Sequence, residues 1–210
     1  MGTLAGYDGY VYVAAQDAVS FTEEATTDEG DGLTFAIDDG DKRYWDDAVT
    51  VTVERDSGGG WGTVSASEYE IQHVGGKVIF GSDQTGNSVR VTGEYLPVSA
   101  AVHGTGWSAE ASREILEVTE FQSGWKTKIP GMMDATAEFE RWYPDGGSEF
   151  MEQIAAGAKV VLVLYPSFAT ADSSRFEGFA VINGDSVSTA VDSVVDESIS
   201  FDVSGELYRV

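Results

Sequence analysis

Glu114-Ile-Leu-Glu-Val-Thr-Glu-Phe121, followed by Lys128-Ile-Pro-Gly-Met132 and the alternating Thr136-Ala-Glu-Phe-Glu-Arg-Trp142, decides the fold of this chain. Ile115, Leu116 and Val118 fit a 3.6-residue period poorly, and Val118-Thr119 favours a strand. In Ile129-Pro-Gly-Met132 the proline presets φ and the glycine accepts a positive φ, which is turn chemistry. The segment is therefore expected to run strand, basic Pro-Gly turn, strand.

Downstream, Ser148 to Gly157 has the marks of a single short helix. Ser148 can cap it, Glu149 and Glu152 suit its positive end, and Gly157 can stop it. Its apolar face is expected to be Phe150, Met151, Ile154, Ala155 and Ala158. Lys159–Tyr165, Phe176–Ile182 and Ser198–Tyr208 follow as strands, with turns expected at Asn183-Gly184 and Ser204-Gly205. Upstream, Tyr7 to Ala15 reads as a short first strand.

The texture changes between Asp17 and Ala100. Acidic loop clusters, Asp28-Glu-Gly-Asp-Gly32 and Asp38-Asp-Gly-Asp41, separate short β-type runs. Val49-Thr-Val-Thr-Val53 alternates as a strand. Tyr69 to Phe80 reads as a hairpin whose Gly75-Gly76 pair suits a tight two-residue turn. Ser88 to Leu96 is another strand, ended by Pro97. Boundaries near Gln16 and in Ser99–Gly106 make residues 17–100 an inserted small β-sandwich domain within a β domain of residues 1–16 and 101–210. The expected fold class is mostly β: a β-sandwich or barrel with one short α-helix, plus that insert.

The chain carries 36 acids against 12 bases, a net charge of −24. Such a surface repels nucleic acid and anionic membranes, so sequence reading of DNA or RNA is a poor fit. The charge is not confined to a tail: residues 16–100 hold 17 acids and 5 bases, the remainder 19 and 7. The absence of cysteine excludes disulfides and thiolate chemistry. No apolar run has the roughly 20 residues of a membrane span, and no basic-then-apolar leader opens the chain. The expectation is synthesis in a cytoplasm.

Few residues invite chemistry. His73 and His103 each lack a second ligand at metal spacing. The acidic loops lack the alternating ligands and distant glutamate of a calcium loop. Glu138 and Glu140 are carboxylates that could flank a glycosidic bond, but on an exposed strand they serve solubility. Trp61, Trp107, Trp125 and Trp142 could stack sugars, which keeps a non-enzymatic carbohydrate-binding or adhesion module as the alternative function. Lys126 and Lys128, beside Trp125, Met132 and Met133, stand out on a chain with five lysines. They suit a contact arm that docks on an acidic neighbour.

Taken with the helix, the Phe176-Glu-Gly-Phe-Ala-Val-Ile182 strand, the closing Ile199–Leu207 and the opening Gly6-Tyr-Asp-Gly-Tyr10, the quoted stretch resembles the major tail tube proteins of long-tailed phages and related viruses. The resemblance covers about residues 1–16 and 101–210. It implies a structural virion protein of the tail, assembled in the host cytoplasm, with no enzymatic activity and no cofactor. It implies homohexameric rings stacked into a tube, contacts to other tail proteins, and DNA passing through a channel of joined β-sheets without specific binding. It also implies that the polymerising loop is Gln122–Asp134, with Trp125, Lys126, Lys128, Met132 and Met133 at the subunit or ring interface. Two physical features agree. A homomeric β ring needs unblunted edge strands, and those after Glu114 carry almost no lysine or proline. An acidic channel would not trap phosphates.

Overall fold

The computed structural model describes residues 10–14, 17–101, 103–119, 124–148, 150–157, 159–166 and 174–210. The architecture is mostly β, with two curled antiparallel sheets and one short helix. The chain groups into two compact units. One holds the residues up to Val11 with Ala101–Val160 and Leu164–Val210; the other holds Tyr12–Ala100 with Val161–Val163.

From the first described residue, β1 (Tyr10–Ala14) is followed by β2 (Val19–Asp28), β3 (Thr34–Ile37), β4 (Thr52–Asp56) and β5 (Trp61–Thr63). Then come β6 (Tyr69–Gln72), β7 (Lys77–Phe80), β8 (Ser88–Tyr95) and β9 (Val98–Ala100). Strands β2–β8 form one sheet in the order β5-β4-β8-β2-β3-β7-β6. Period-two alternation gives it one buried face, where Phe21, Phe35, Trp45, Val53, Val78, Phe80, Val89 and Val91 pack together. Phe35 and Phe80 meet edge to face at 5.6 Å. β1 pairs antiparallel with β9, Ala14 opposite Val98, so the chain enters and leaves this sheet from neighbouring strands.

Two local expectations shift here. The strand expected at Val49–Val53 begins at Thr52 and runs to Asp56, because its pairing with β8 starts only at Thr52↔Thr92. Gly75 and Gly76 do take positive φ, but the β6–β7 loop has four residues, His73–Gly76, between paired Gln72 and Lys77. The His73 carbonyl is held by the Trp45 and Gly76 amides, which widens the turn.

The chain continues through β10 (Gly104–Glu117), β11 (Lys128–Trp142), α1 (Phe150–Ala156), β12 (Lys159–Tyr165), β13 (Phe176–Ser188), β14 (Asp196–Val203) and β15 (Tyr208–Arg209). The sheet order is β10-β11-β14-β13-β12-β1-β9, with β15 added to β13. β12 is buried from Val160 to Leu164, as a continuous apolar run on a central strand should be. Gly157 takes φ +62 and ends α1, and the Ser148 hydroxyl accepts from the Phe150 amide at 3.3 Å. On the helix, Phe150 is buried and Ile154 half-buried, but Met151 and Ala155 are exposed, so the apolar stripe is narrower than expected. The expected features at residues 6–9, Gln16, Glu149 and Ala158 lie outside the described residues.

Two of the three Gly-containing turn signals after Glu114 prove to be β-bulges. At the first, Arg113 pairs with Met133 and Ile115 with Pro130, so Glu114 faces both Gly131 and Met132. At the second, Ile182 pairs with Phe201 and Gly184 with Ser200, leaving Asn183 as the extra residue inside β13. A bulge accepts proline and small residues for the reason a turn does: it suspends ladder bonding and kinks the backbone. The expected turn at Ser204-Gly205 does leave β14, with Gly205 at φ +95.

Candidate functional site

β11 pairs with β14 only from Thr136↔Asp202 onward. Toward the other end of β11, Lys128–Ala135 pair with β10 alone, through Ala111–Glu117. That leaves a two-stranded ribbon reaching about 20 Å past the sheet, at roughly 3.3 Å per residue. Isolated two-stranded ribbons are marginal in water. This one also exposes Ile115, Leu116, Val118, Trp125, Ile129, Met132 and Met133. Full burial of a large apolar side chain is worth about 1.5–3 kcal/mol, so seven on one arm form a patch that calls for a partner.

The residues singled out in the sequence all lie on this arm. Trp125 stands at its tip, 88% exposed, and Met132 and Met133 are 80% and 64% exposed. Lys126 Nζ meets its own Glu117 at 2.8 Å across the arm. Lys128 opens β11 opposite Glu117. The expected loop Gln122–Asp134 is corrected: Lys128–Asp134 belong to β11, because Gly131-Met132 forms a bulge within that strand and not a turn that ends it. That tip closes where the Val118 amide donates to the Thr127 carbonyl and the Thr127 amide to the Thr119 hydroxyl. Residues 120–123 lie outside the described set.

Sequence reasoning missed Ile115, Leu116, Ile129, Arg113 and Glu114 as parts of this surface. A signal was present. Adjacent apolar pairs such as Ile115-Leu116 and Met132-Met133 put one member on each face of a ribbon, so neither face can be the solvent face. At the bulge, Ser112, Arg113, Glu114, Met132, Met133 and Asp134 line a hollow of about 440 Å³.

The sheet behind the arm has a second distinctive surface. Ala135, Ala137, Phe139 and Arg141 of β11 are buried, so Thr136, Glu138, Glu140 and Trp142 occupy its other face. In register beside them stand Asp202, Ser200, Ser198 and Asp196 of β14, with Glu110 and Ser108 of β10. These ten positions hold five carboxylates and no base. Glu138 and Glu140 are thus two of a spread row facing serines.

The buried side is tied by charge. Arg141 and Glu197, both buried, form an ion pair across β11 and β14. Arg141 also donates to the Ser148 hydroxyl at 3.1 Å and lies over the Phe150 ring at 4.6 Å, which anchors the start of α1. Arg175 pairs with buried Glu177 at 2.8 Å. Neither pair was foreseen.

Elsewhere the candidate chemistry has structural work. Asp31 accepts from the Thr34 and Leu33 amides, which hold its carboxyl below the ordinary aspartate value. Asp39 is lowered by the Lys42 ammonium and the Asp41 amide, and Asp83 by the Thr85 hydroxyl and amide. These acids turn the chain. Among the described residues no three His, Cys, Asp or Glu gather to hold a metal ion. Trp61 has the Arg90 guanidinium 4.3 Å over its ring, and Trp107 meets Phe176 at 6.4 Å.

No protein-family model and no curated protein sequence matches this chain. Among solved structures it is similar to a chain of the native gene transfer agent (GTA) virion, at 12% identity and TM-score 0.45, over 54% of this chain and 88% of that one. It is similar to a chain of the empty GTA particle tail, which has C6 symmetry, at 11% identity and TM-score 0.45, over 54% and 87%. A third is the SPP1 tail tube, at 14% identity and TM-score 0.44, over 76% and 74%.

Proposed function

We propose that this chain is a structural subunit of a virion tail that assembles with copies of itself, in rings stacked as a tube around a channel for DNA. The observation that carries the reading is the β10–β11 arm, whose seven exposed large apolar side chains gain burial only against another surface. A second copy is the natural partner, because β10 is a terminal strand of fourteen residues with no lysine or proline along it. The interface residues are Trp125, Lys126, Lys128, Met132 and Met133. The base-free row of Glu110, Glu138, Glu140, Asp196 and Asp202 suits a channel wall, since it offers phosphates no cation to bind. No enzymatic role is assigned.

Residues 17–100 are, in this reading, a domain inserted after the first strand. The pairing of Ala14 with Val98 supports it, since the two ends of such an insert must be neighbours. Replacing residues 17–100 with a short Gly-Ser linker should leave a soluble, β-rich protein by circular dichroism. An unfolded product would mean one continuous core.

Negative-stain electron microscopy of the concentrated protein tests the function. Rings, or tubes of varied length, are the expected result. A monomer at every concentration, with binding on a glycan array, would instead make it a carbohydrate-recognising module.

A further inference from the structure

The arm carries both a knob and a notch. The knob is Trp125 at the tip, and the notch is the hollow at the Glu114/Gly131–Met132 bulge. We propose that Trp125 of one copy seats in the bulge notch of a second copy, making a head-to-tail contact between arms. The proposal rests on the self-assembly reading above and names the groups that would carry it.

The chemistry of the notch fits a flat aromatic ring. At about 440 Å³ it lies within the range of small-molecule pockets, ample for one indole. Met132 and Met133 supply flexible thioethers, which pack well against aromatic faces. Arg113, opposite Met133 in register, has no ion pair among the described residues and can lie over the ring as a cation. The bulge creates the space: with Gly131 and Met132 set against one residue, the strand kinks and its side chains splay. Gly131 has no room for more, since a Cβ there would sit 3.0 Å from the Glu114 Cβ.

The knob cannot serve its own notch. Met132 lies four residues into β11, about 13 Å along the strand at roughly 3.3 Å per residue, with the tip further out. Trp125 at that tip is 88% exposed. A knob and a notch at different places on one surface define a heterologous contact, in which each copy gives one and receives one. Such contacts propagate into a closed ring or an open filament.

Because the chain has no cysteine, cross-linking reads the contact directly. Gly124→Cys places a thiol beside the knob, at a position with open space for a side chain. Ser112→Cys places one on the lining of the notch. Mild oxidation of the two variants mixed should give a covalent dimer of one chain of each kind, and a chain carrying both cysteines should give a ladder of multimers. Adding Trp125→Ala to the Gly124→Cys chain should cut the mixed dimer at least tenfold, and Arg113→Ala in the other chain should cut it less. Dimers formed chiefly by Gly124→Cys alone would mean tips meeting symmetrically and would overturn the proposal, as would a mixed dimer indifferent to Trp125→Ala. Rings or tubes in micrographs without the mixed cross-link would overturn this contact and leave the tail reading standing. Loss of every multimer in the parent chain would overturn both.

Discussion

The sheet of residues 19–95 and the β10–β11 arm are both antiparallel β structure, yet they treat their apolar side chains in opposite ways. The first aims Phe21, Phe35, Trp45, Val53, Val78 and Phe80 at one another. The second holds Ile115, Trp125, Met132 and Met133 in water. The contrast comes from strand number. Seven strands can curl so that one face closes on itself, whereas two strands have no inside. Stability in the first region is therefore its own property. In the arm it is conditional on a partner, and apolar composition there predicts association rather than folding.

The comparison breaks most sharply at Trp45. This side chain is fully buried in the core of that sheet, so Trp45→Ala should cost about 3–5 kcal/mol and lower the urea midpoint of that region by a large margin. Removing an exposed apolar group of the arm with Met132→Ala should change stability by no more than about 0.5 kcal/mol. A Trp45→Ala variant as stable as its parent would mean that the insert has no autonomous core, and the contrast would collapse.

Next in size is the buried pair that ties β11, β14 and α1. Arg141→Met strands the Glu197 carboxylate in the interior and should cost about 3 kcal/mol. The double change Arg141→Met with Glu197→Leu removes both charges and should recover most of that loss by thermal melting. If the double variant is no better than the single one, the hydrogen bond to Ser148 and the stack on Phe150 carry the stability instead.

How much of this was legible in the sequence follows from the range of each interaction. Alternation over Lys77–Phe80, the continuous apolar run of Lys159–Tyr165 and the helix between Ser148 and Gly157 are local signals and are readable. Pro130-Gly131 and Asn183-Gly184 were read as turns because turns and bulges draw on the same residues. Only the partner strand tells them apart, and that strand is distant in sequence. The Arg141–Glu197 pair spans 56 residues, so no window over the sequence reveals it. The arm's residues were identifiable by their oddity, five of them by name. Their placement on a strand was not, because it follows from the bulge.

The smallest effect on folding should accompany the largest on assembly, at the arm's lysines. Lys126 is already engaged by Glu117 in an exposed pair, and pairs of that kind contribute about 0.2–1 kcal/mol. Lys128 has no side-chain ion pair among the described residues, so its charge remains available to an acidic neighbour on a chain of net charge −24. Lys126→Glu should mainly loosen the tip by repelling Glu117. Lys128→Glu should slow assembly more, and the two together should stop it at moderate salt. Neither change should move the urea midpoint by more than about 0.5 kcal/mol in stability. Raising the salt should slow the parent and leave the double variant unaltered, because screening removes an attraction that the variant lacks. Light scattering across a salt series reads both effects. A double variant that assembles like its parent would show that the apolar residues alone bring the arms together.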